Sequence, residues 1–235
     1  MRFNRIFLFF LLLSLLLTSC EKVSALTNGT PTEEHEDFIG TLTFLGDSTT
    51  AHMISRAPIT HKSQIWATKN RYLNLDPRIT YTKIMVGEEG EELTIGEMAK
   101  KLQPKRLVLT LGVDYGVYYY QNDQKTFAFY YEKLIDTINL ASPNTTVILQ
   151  SIFPVAKSST AITNKMIDRA NQTIKEISER RALVYIDTNA HLKNAEGYLP
   201  PEYCSSADGI HLTNEAYKVI FDIIAQHENK IKEAE

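Results

Sequence analysis

Thr41-Leu42-Thr43-Phe44-Leu45-Gly46-Asp47-Ser48-Thr49-Thr50 passes from an apolar, β-rich segment into a glycine and then a cluster of small polar residues. Residues 41–45 have the composition of a buried strand, and Gly46 permits a tight turn. Ser48 then stands where the strand ends and a helix begins. The first N–H groups of a helix have no intrahelical partners and favour negative charge, so a serine there can act as a nucleophile beside an oxyanion site. Taken alone, Gly-Asp-Ser also describes an ordinary turn or helix cap, so its meaning depends on the rest of the chain.

Four more apolar runs, 80–86, 106–111, 146–151 and 183–187, read as strands. Helical patterns separate them. Thr94 and Glu97 form a capping box ahead of Ile95, Met98 and Leu102. Phe127, Tyr131, Leu134 and Ile138 repeat at helical spacing, as do Ile162, Met166, Ala170, Ile174 and Ile177, and a last helix after Thr213 carries Tyr217, Ile220 and Ile224 on one face. Strands alternating with helices predict an α/β fold with a five-stranded parallel sheet covered on both faces. The 235 residues, 43% of them hydrophobic and 23% charged, suffice for one large core and rule out collagen, coiled coil and wholesale disorder. In such folds functional side chains gather at the carboxyl ends of the strands.

Asp208-Gly209-Ile210-His211-Leu212-Thr213 precedes the last helix. A carboxylate three residues ahead of a histidine on a loop can fold back to accept from Nδ1–H, leaving Nε2 free to take a serine proton. With Ser48 at one strand exit and His211 at another, a Ser–His–Asp triad becomes the better reading of both motifs.

The chain opens with basic Arg2 and Arg5, then an apolar run over 6–17 too short to span a bilayer comfortably. The following Leu17-Thr18-Ser19-Cys20 resembles a bacterial lipobox. The expected organisation is a lipoprotein signal peptide at 1–19, a lipidated Cys20 with a flexible polar tether to 37, a catalytic domain over 38–228 and a polar C-terminal tail at 229–235. The protein is then extracytoplasmic and held on the bacterial cell membrane by its lipid. Without the leader's two arginines the formal charge of −3 becomes −5, which argues against a nucleic-acid partner. With Cys20 acylated, Cys204 has no disulfide partner. No His-Cys-carboxylate spacing suggests a metal, and no glycine-rich fingerprint suggests a nucleotide cofactor, so neither is expected.

Gly46-Asp47-Ser48 and Asp208-x-x-His211, in this order and separation, resemble the SGNH or GDSL-type hydrolase family over roughly residues 38–227. The stretch Gln150-Ser151-Ile152-Phe153-Pro154-Val155 is similar to a bacterial extracytoplasmic branch. The resemblance implies a three-layer α/β/α flavodoxin-like sheet, with Ser48 as nucleophile, His211 as base and Asp208 as its orienter. It also implies an oxyanion hole made by the Ser48 N–H, a glycine N–H after the second strand and an asparagine after the third. Gly87 matches that glycine, with Gly90 as an alternative. One block departs: Gly112-Val113-Asp114 stands where the family has Gly-x-Asn. An ionised aspartate only accepts hydrogen bonds and would repel an oxyanion. Losing one such donor costs about 2.7–4 kcal/mol of barrier, or 10²–10³ in rate. Three readings remain open. Asp114 can be protonated and donate, Tyr115 or a backbone N–H can take over, or the enzyme can be crippled.

The implied activity is hydrolysis of an oxygen ester through an acyl-enzyme, with an acylated cell-surface glycan or a lipid as substrate. The alternatives are a surface O-acyltransferase using the same triad and a glycan-binding protein on a decayed hydrolase fold. Tyr115, Tyr118, Tyr119, Tyr120, Tyr130 and Tyr131 crowd the region after the third strand, as a platform for a sugar or acyl chain or as packing around the next helix. The sequence does not set the oligomeric state.

Overall fold

The structure, a computed structural model, describes residues 33–59 and 61–235. The signal peptide, Cys20 and most of the stretch read as a tether lie outside the described residues. Among those described, the strands are β1 (Leu42–Gly46), β2 (Ile65–Ala67), β3 (Lys83–Val86), β4 (Leu93–Thr94), β5 (Arg106–Thr110), β6 (Thr146–Gln150) and β7 (Val184–Ile186). They form one sheet in the order β4-β3-β2-β1-β5-β6-β7. Strands β2, β1, β5, β6 and β7 run parallel, while β3 is antiparallel to β2 and β4 to β3. The expected five-stranded parallel sheet is therefore a parallel block of five extended by an antiparallel edge.

Strand side chains alternate between two cores, as a two-sided sheet requires. Leu45, Leu107, Leu109, Val147 and Leu149 face one side. Against them pack the helices α4 (Ile95–Leu102), α6 (Gln124–Ala141) and α7 (Asn164–Arg181). Leu42, Phe44, Val108 and Ile148 face the other side, covered by α1 (Glu33–Gly40), α9 (Asn214–Gln226) and α10 (Glu228–Glu233). Short helical turns α2 (Ser48–Ala51), α3 (Met53–Arg56), α5 (Gly116–Tyr119) and α8 (Asn189–Leu192) lie in the connections. Among the described residues no helix is long and apolar enough to cross a membrane.

Three sequence expectations change. Of the run 80–86 only Lys83–Val86 is strand, and it is antiparallel; the parallel position beside β1 belongs to the three-residue Ile65-Trp66-Ala67, with Trp66 buried. The stretch assigned to the tether is helical from Glu33, and Phe38 and Ile39 of that helix enter the core. Residues 229–235, read as a polar C-terminal tail, are largely helical and tied to the domain, because α10 buries Ile231 and Glu235 pairs with Lys105 and the buried Arg106.

The connectivity fixes where a site can form. From β1 the chain moves to β2 on one side, whereas β5, β6 and β7 build outward on the other. The carboxyl ends of β1 and β5 thus flank the switch point of the sheet, where the loops diverge and leave a crevice. Gly46 pairs with Thr110 across that point, bringing the segments that follow them together.

Candidate active site

Gly46 is required by close approach: a Cβ there would lie 2.1 Å from the Thr110 carbonyl oxygen. The next residue, Asp47, caps α2 and is 1% exposed. Its carboxylate accepts from the Gly112 and Val113 N–H groups at 3.0 and 2.9 Å and from the Thr49 hydroxyl at 2.9 Å. Burial pushes its pKa up, and these bonds oppose the shift. Asp47 thereby ties the loop after β1 to the loop after β5. The arrangement sets Ser48 at the first turn of α2, facing Asp114.

The DGIH block is held as firmly. Gly209 has a positive φ of 77°, and its carbonyl accepts from the Ala156 N–H at 2.8 Å. The Asp208 Oδ1 accepts from the Ile210 N–H at 2.8 Å and from the Ser206 hydroxyl. Burial would raise the Asp208 pKa, but the bonds from Ser206 and Ile210 and the neighbouring His211 hold it below the usual carboxylate range. Across the groove, the Tyr217 hydroxyl on α9 donates to the Thr49 carbonyl at 2.6 Å, and the Asn214 amide donates to the Arg56 carbonyl at 2.9 Å. These contacts dock the last block of the sequence onto the first.

The result is a continuous polar chain. His211 Nδ1 lies 2.9 Å from Asp208 Oδ2, and His211 Nε2 lies 3.1 Å from Ser48 Oγ. Asp114 then adds a fourth member. Its Oδ1 is 2.7 Å from Ser48 Oγ, and its Oδ2 accepts from the Ser48 N–H at 3.0 Å. Burial and the nearby Asp47 charge push the Asp114 pKa up to about 7 against these two bonds. The carboxyl group therefore occupies the N–H that an oxyanion would use.

Gly87 is not brought to this site. Because β3 is antiparallel, Gly87 falls opposite Ile65 at the amino end of β2, and its N–H already donates to the Ile65 carbonyl at 2.8 Å. Gly90 lies in the β3–β4 turn. Both are corrected as oxyanion donors. The register of β1 with β2 places the loop beginning at Thr68 beside the Ser48 turn instead. That loop contains Arg71, held at a φ of 66°.

Sequence reasoning also missed His52, whose ring meets the His211 ring edge-on at 4.5 Å. Burial, then His211 and the Arg56 and Arg71 charges, push its pKa down to about 4, so it packs as a neutral ring. Its only sequence signal was its place four residues after Ser48, one helical turn on. The tyrosines divide. Tyr131 is fully buried in the core, while Tyr115 stacks on Tyr119 at 3.9 Å beside Asp114. Cys204 is partly buried, and its thiol donates to the Ser206 carbonyl at 3.2 Å. Among the described residues no three His, Cys, Asp or Glu side chains converge as a metal site would need.

Solved structures share this architecture. An acylhydrolase from Bacteroides fragilis NCTC 9343 superposes with a TM-score of 0.55 at 17% identity, over 80% of this chain and 86% of that one. A GDSL-like lipase from Bacteroides thetaiotaomicron VPI-5482 gives 0.54 at 16% identity, over 86% and 92%. A variant of an acetyl-xylooligosaccharide esterase from Geobacillus gives 0.50 at 14%, over 80% and 93%. No curated protein matches. At these identities the likeness speaks for the fold. The sequence itself matches the model of GDSL-like lipases and acylhydrolases over residues 44–219, a span that contains Ser48, Asp114, Asp208 and His211, and the chain belongs to that family.

Proposed function

We propose that the protein is a membrane-anchored, extracytoplasmic serine esterase that hydrolyses oxygen esters through an acyl-enzyme. The observation that carries this reading is the Asp208–His211–Ser48 chain, with separations of 2.9 and 3.1 Å. Ser48 Oγ attacks the ester carbonyl as its proton passes to His211 Nε2, and Asp208 holds the imidazole and stabilises its positive charge. The C–O bond to the alcohol breaks and His211 returns the proton to the leaving oxygen. Water then attacks the acyl-Ser48 ester, with His211 again acting as base, and releases the carboxylic acid.

Asp114 fits this cycle in its protonated form. Oδ1–H then donates to Ser48 Oγ, the Ser48 O–H donates to His211 Nε2, and Nδ1–H donates to Asp208, so every donor has an acceptor. When Asp114 is ionised, the Ser48 hydroxyl's one proton is drawn to the carboxylate and away from the base. An intact triad also argues against the decayed glycan binder. The acyltransferase alternative uses the same acyl-enzyme with a sugar hydroxyl in place of water.

The test is a fluorophosphonate probe on the full-length protein, together with p-nitrophenyl acetate turnover. We expect labelling that maps to Ser48 and is lost in Ser48→Ala. Labelling or turnover that survives this substitution would remove Ser48 from the role. Anchoring rests on the lipobox-like Leu17-Thr18-Ser19-Cys20. In a bacterial host fed radiolabelled palmitate, the parent should be labelled and sediment with membranes. Cys20→Ala should be unlabelled, and an equally labelled Cys20→Ala protein would contradict the assignment.

A further inference from the structure

Between β2 and β3, residues 68–82 contain no helix or strand. A connection this long without regular structure is uncommon in a compact domain and commonly functional. This one is also firmly built. Leu73, Leu75 and Ile79 are fully buried, and Leu75 packs so closely on α5 that a Cβ on Gly116 would lie 3.0 Å from its Cδ2. Asp76, 3% exposed, accepts from the Arg78 N–H at 2.7 Å and from the Arg78 guanidinium at 2.6 Å. The Arg78 side chain is thereby fixed at its head although it is 76% exposed.

This loop, the start of β3 and Glu92 line an open surface cavity of about 650 Å³. Strand polarity puts it at the same rim as Ser48: Thr68 follows the carboxyl end of β2, and Lys83 begins the antiparallel β3. The link to the site runs through Thr68, which lines the cavity and follows β2, the strand paired with β1 just before the Ser48 turn. The cavity's volume is far more than an acetyl group needs and lies in the range of ligand sites.

The lining decides the ligand class. Tyr72 and Tyr81 stand 60% and 74% exposed at its wall. Asn70, Asn74 and Thr82 share the lining and supply short polar groups that both donate and accept. Aromatic faces interleaved with amides and hydroxyls match sugar rings, which have apolar C–H faces and hydroxyl edges. A lipid chain would ask for a dry apolar wall instead. Of the lining charges Arg78 pairs with Asp76 and Lys69 lies 3.8 Å from Glu92, which leaves Lys83 as a net charge of one, with Lys133 Nζ 6.0 Å from the Tyr81 ring centroid nearby. A polyanion would therefore meet little uncompensated positive charge.

The geometry points to this cavity as the binding site for the alcohol part of the substrate: a neutral O-acylated oligosaccharide stacks on Tyr72 and Tyr81 and presents its ester to Ser48 past Thr68. The inference rests on the esterase reading for its second half, and the experiment separates the two. Full-length parent and Tyr72→Ala/Tyr81→Ala protein are assayed on p-nitrophenyl acetate and on partially O-acetylated cellotetraose. Two stacking contacts at about 1 kcal/mol each predict a KM for the tetrasaccharide at least tenfold higher in the variant. Turnover of p-nitrophenyl acetate should stay within twofold, which also shows that the variant is folded. An unchanged tetrasaccharide KM overturns the assignment, as does a parallel loss on both esters. Calorimetry on the Ser48→Ala background reads binding without turnover. Acetylated cellotetraose should bind there and be lost when both tyrosines are removed. Binding of polygalacturonate in its place overturns the neutral-glycan assignment. A parent that binds the tetrasaccharide but cleaves neither ester removes the esterase reading and leaves the glycan site standing.

Discussion

His211→Ala is expected to lower kcat on p-nitrophenyl acetate by about 10⁴-fold or more, and Asp208→Ala by one to two orders of magnitude less. The difference follows from what each group does. Without the imidazole, the only other group on the Ser48 hydroxyl is Asp114, whose Oδ1 lies 2.7 Å away and which, in the protonated form the cycle uses, donates to Ser48 Oγ and cannot serve as its base. Without Asp208, the base survives in a less fixed tautomer and ring position. Ser206 stays 3.5 Å from Nδ1 as a weak substitute, and the His52 ring still packs against the imidazole. Because the three residues act as one device, the double variant should be no slower than His211→Ala alone. Additive losses in that pair would show that Asp208 contributes by another route and would break the relay from Asp208 to Ser48.

Local signals in the sequence were enough for the two halves of this relay. An apolar run closing on Gly46, and a carboxylate three residues ahead of a histidine just before a capped helix, are short-range patterns that survive without knowledge of the fold. The helices were readable for the same reason: Thr94 and Glu97 do form the capping box, and Phe127, Tyr131, Leu134 and Ile138 all point into one core. Strand direction is not a local property. Residues 83–86 carry the composition of a buried strand whichever way they run, so a glycine after them was assigned to the wrong end of the sheet. The true neighbour of β1, Ile65-Trp66-Ala67, is three residues in a polar stretch and too short to show a period. The C-terminal helix depends on one buried isoleucine and on pairing between Glu235 and the Arg106 region, a contact between residues 129 apart in the chain. The Asp114 contact was hidden in the same way. Sequence exposed the departure from asparagine, but only the adjacency of β1 and β5 reveals that this carboxyl group grips both Ser48 Oγ and Ser48 N.

Asp114→Asn should raise kcat on p-nitrophenyl acetate by about 100-fold at pH 9 while changing it little at pH 5.5. The sign follows from burial. The Asp114 pKa is pushed up to about 7, so below that value the carboxyl group is mostly protonated and able to donate. Above it, the group is a carboxylate that withdraws the Ser48 proton and repels an oxyanion on the Ser48 N–H. At pH 9 about one molecule in a hundred would keep the proton, since each unit above the pKa reduces the neutral form tenfold. An asparagine amide donates at every pH from one end and can still accept from the Ser48 N–H at the other, so the alkaline fall of the parent should vanish. Asp114→Ala separates the two effects of the carboxyl group. It removes the negative charge but supplies no donor, and should be slow across the whole range by the 10²–10³ typical of a missing oxyanion donor. A parent-to-asparagine ratio that does not change between pH 5.5 and 9 would mean that Asp114 ionisation does not limit the reaction. The stabilising proton would then have to come from elsewhere, with Tyr115 the nearest side chain in sequence.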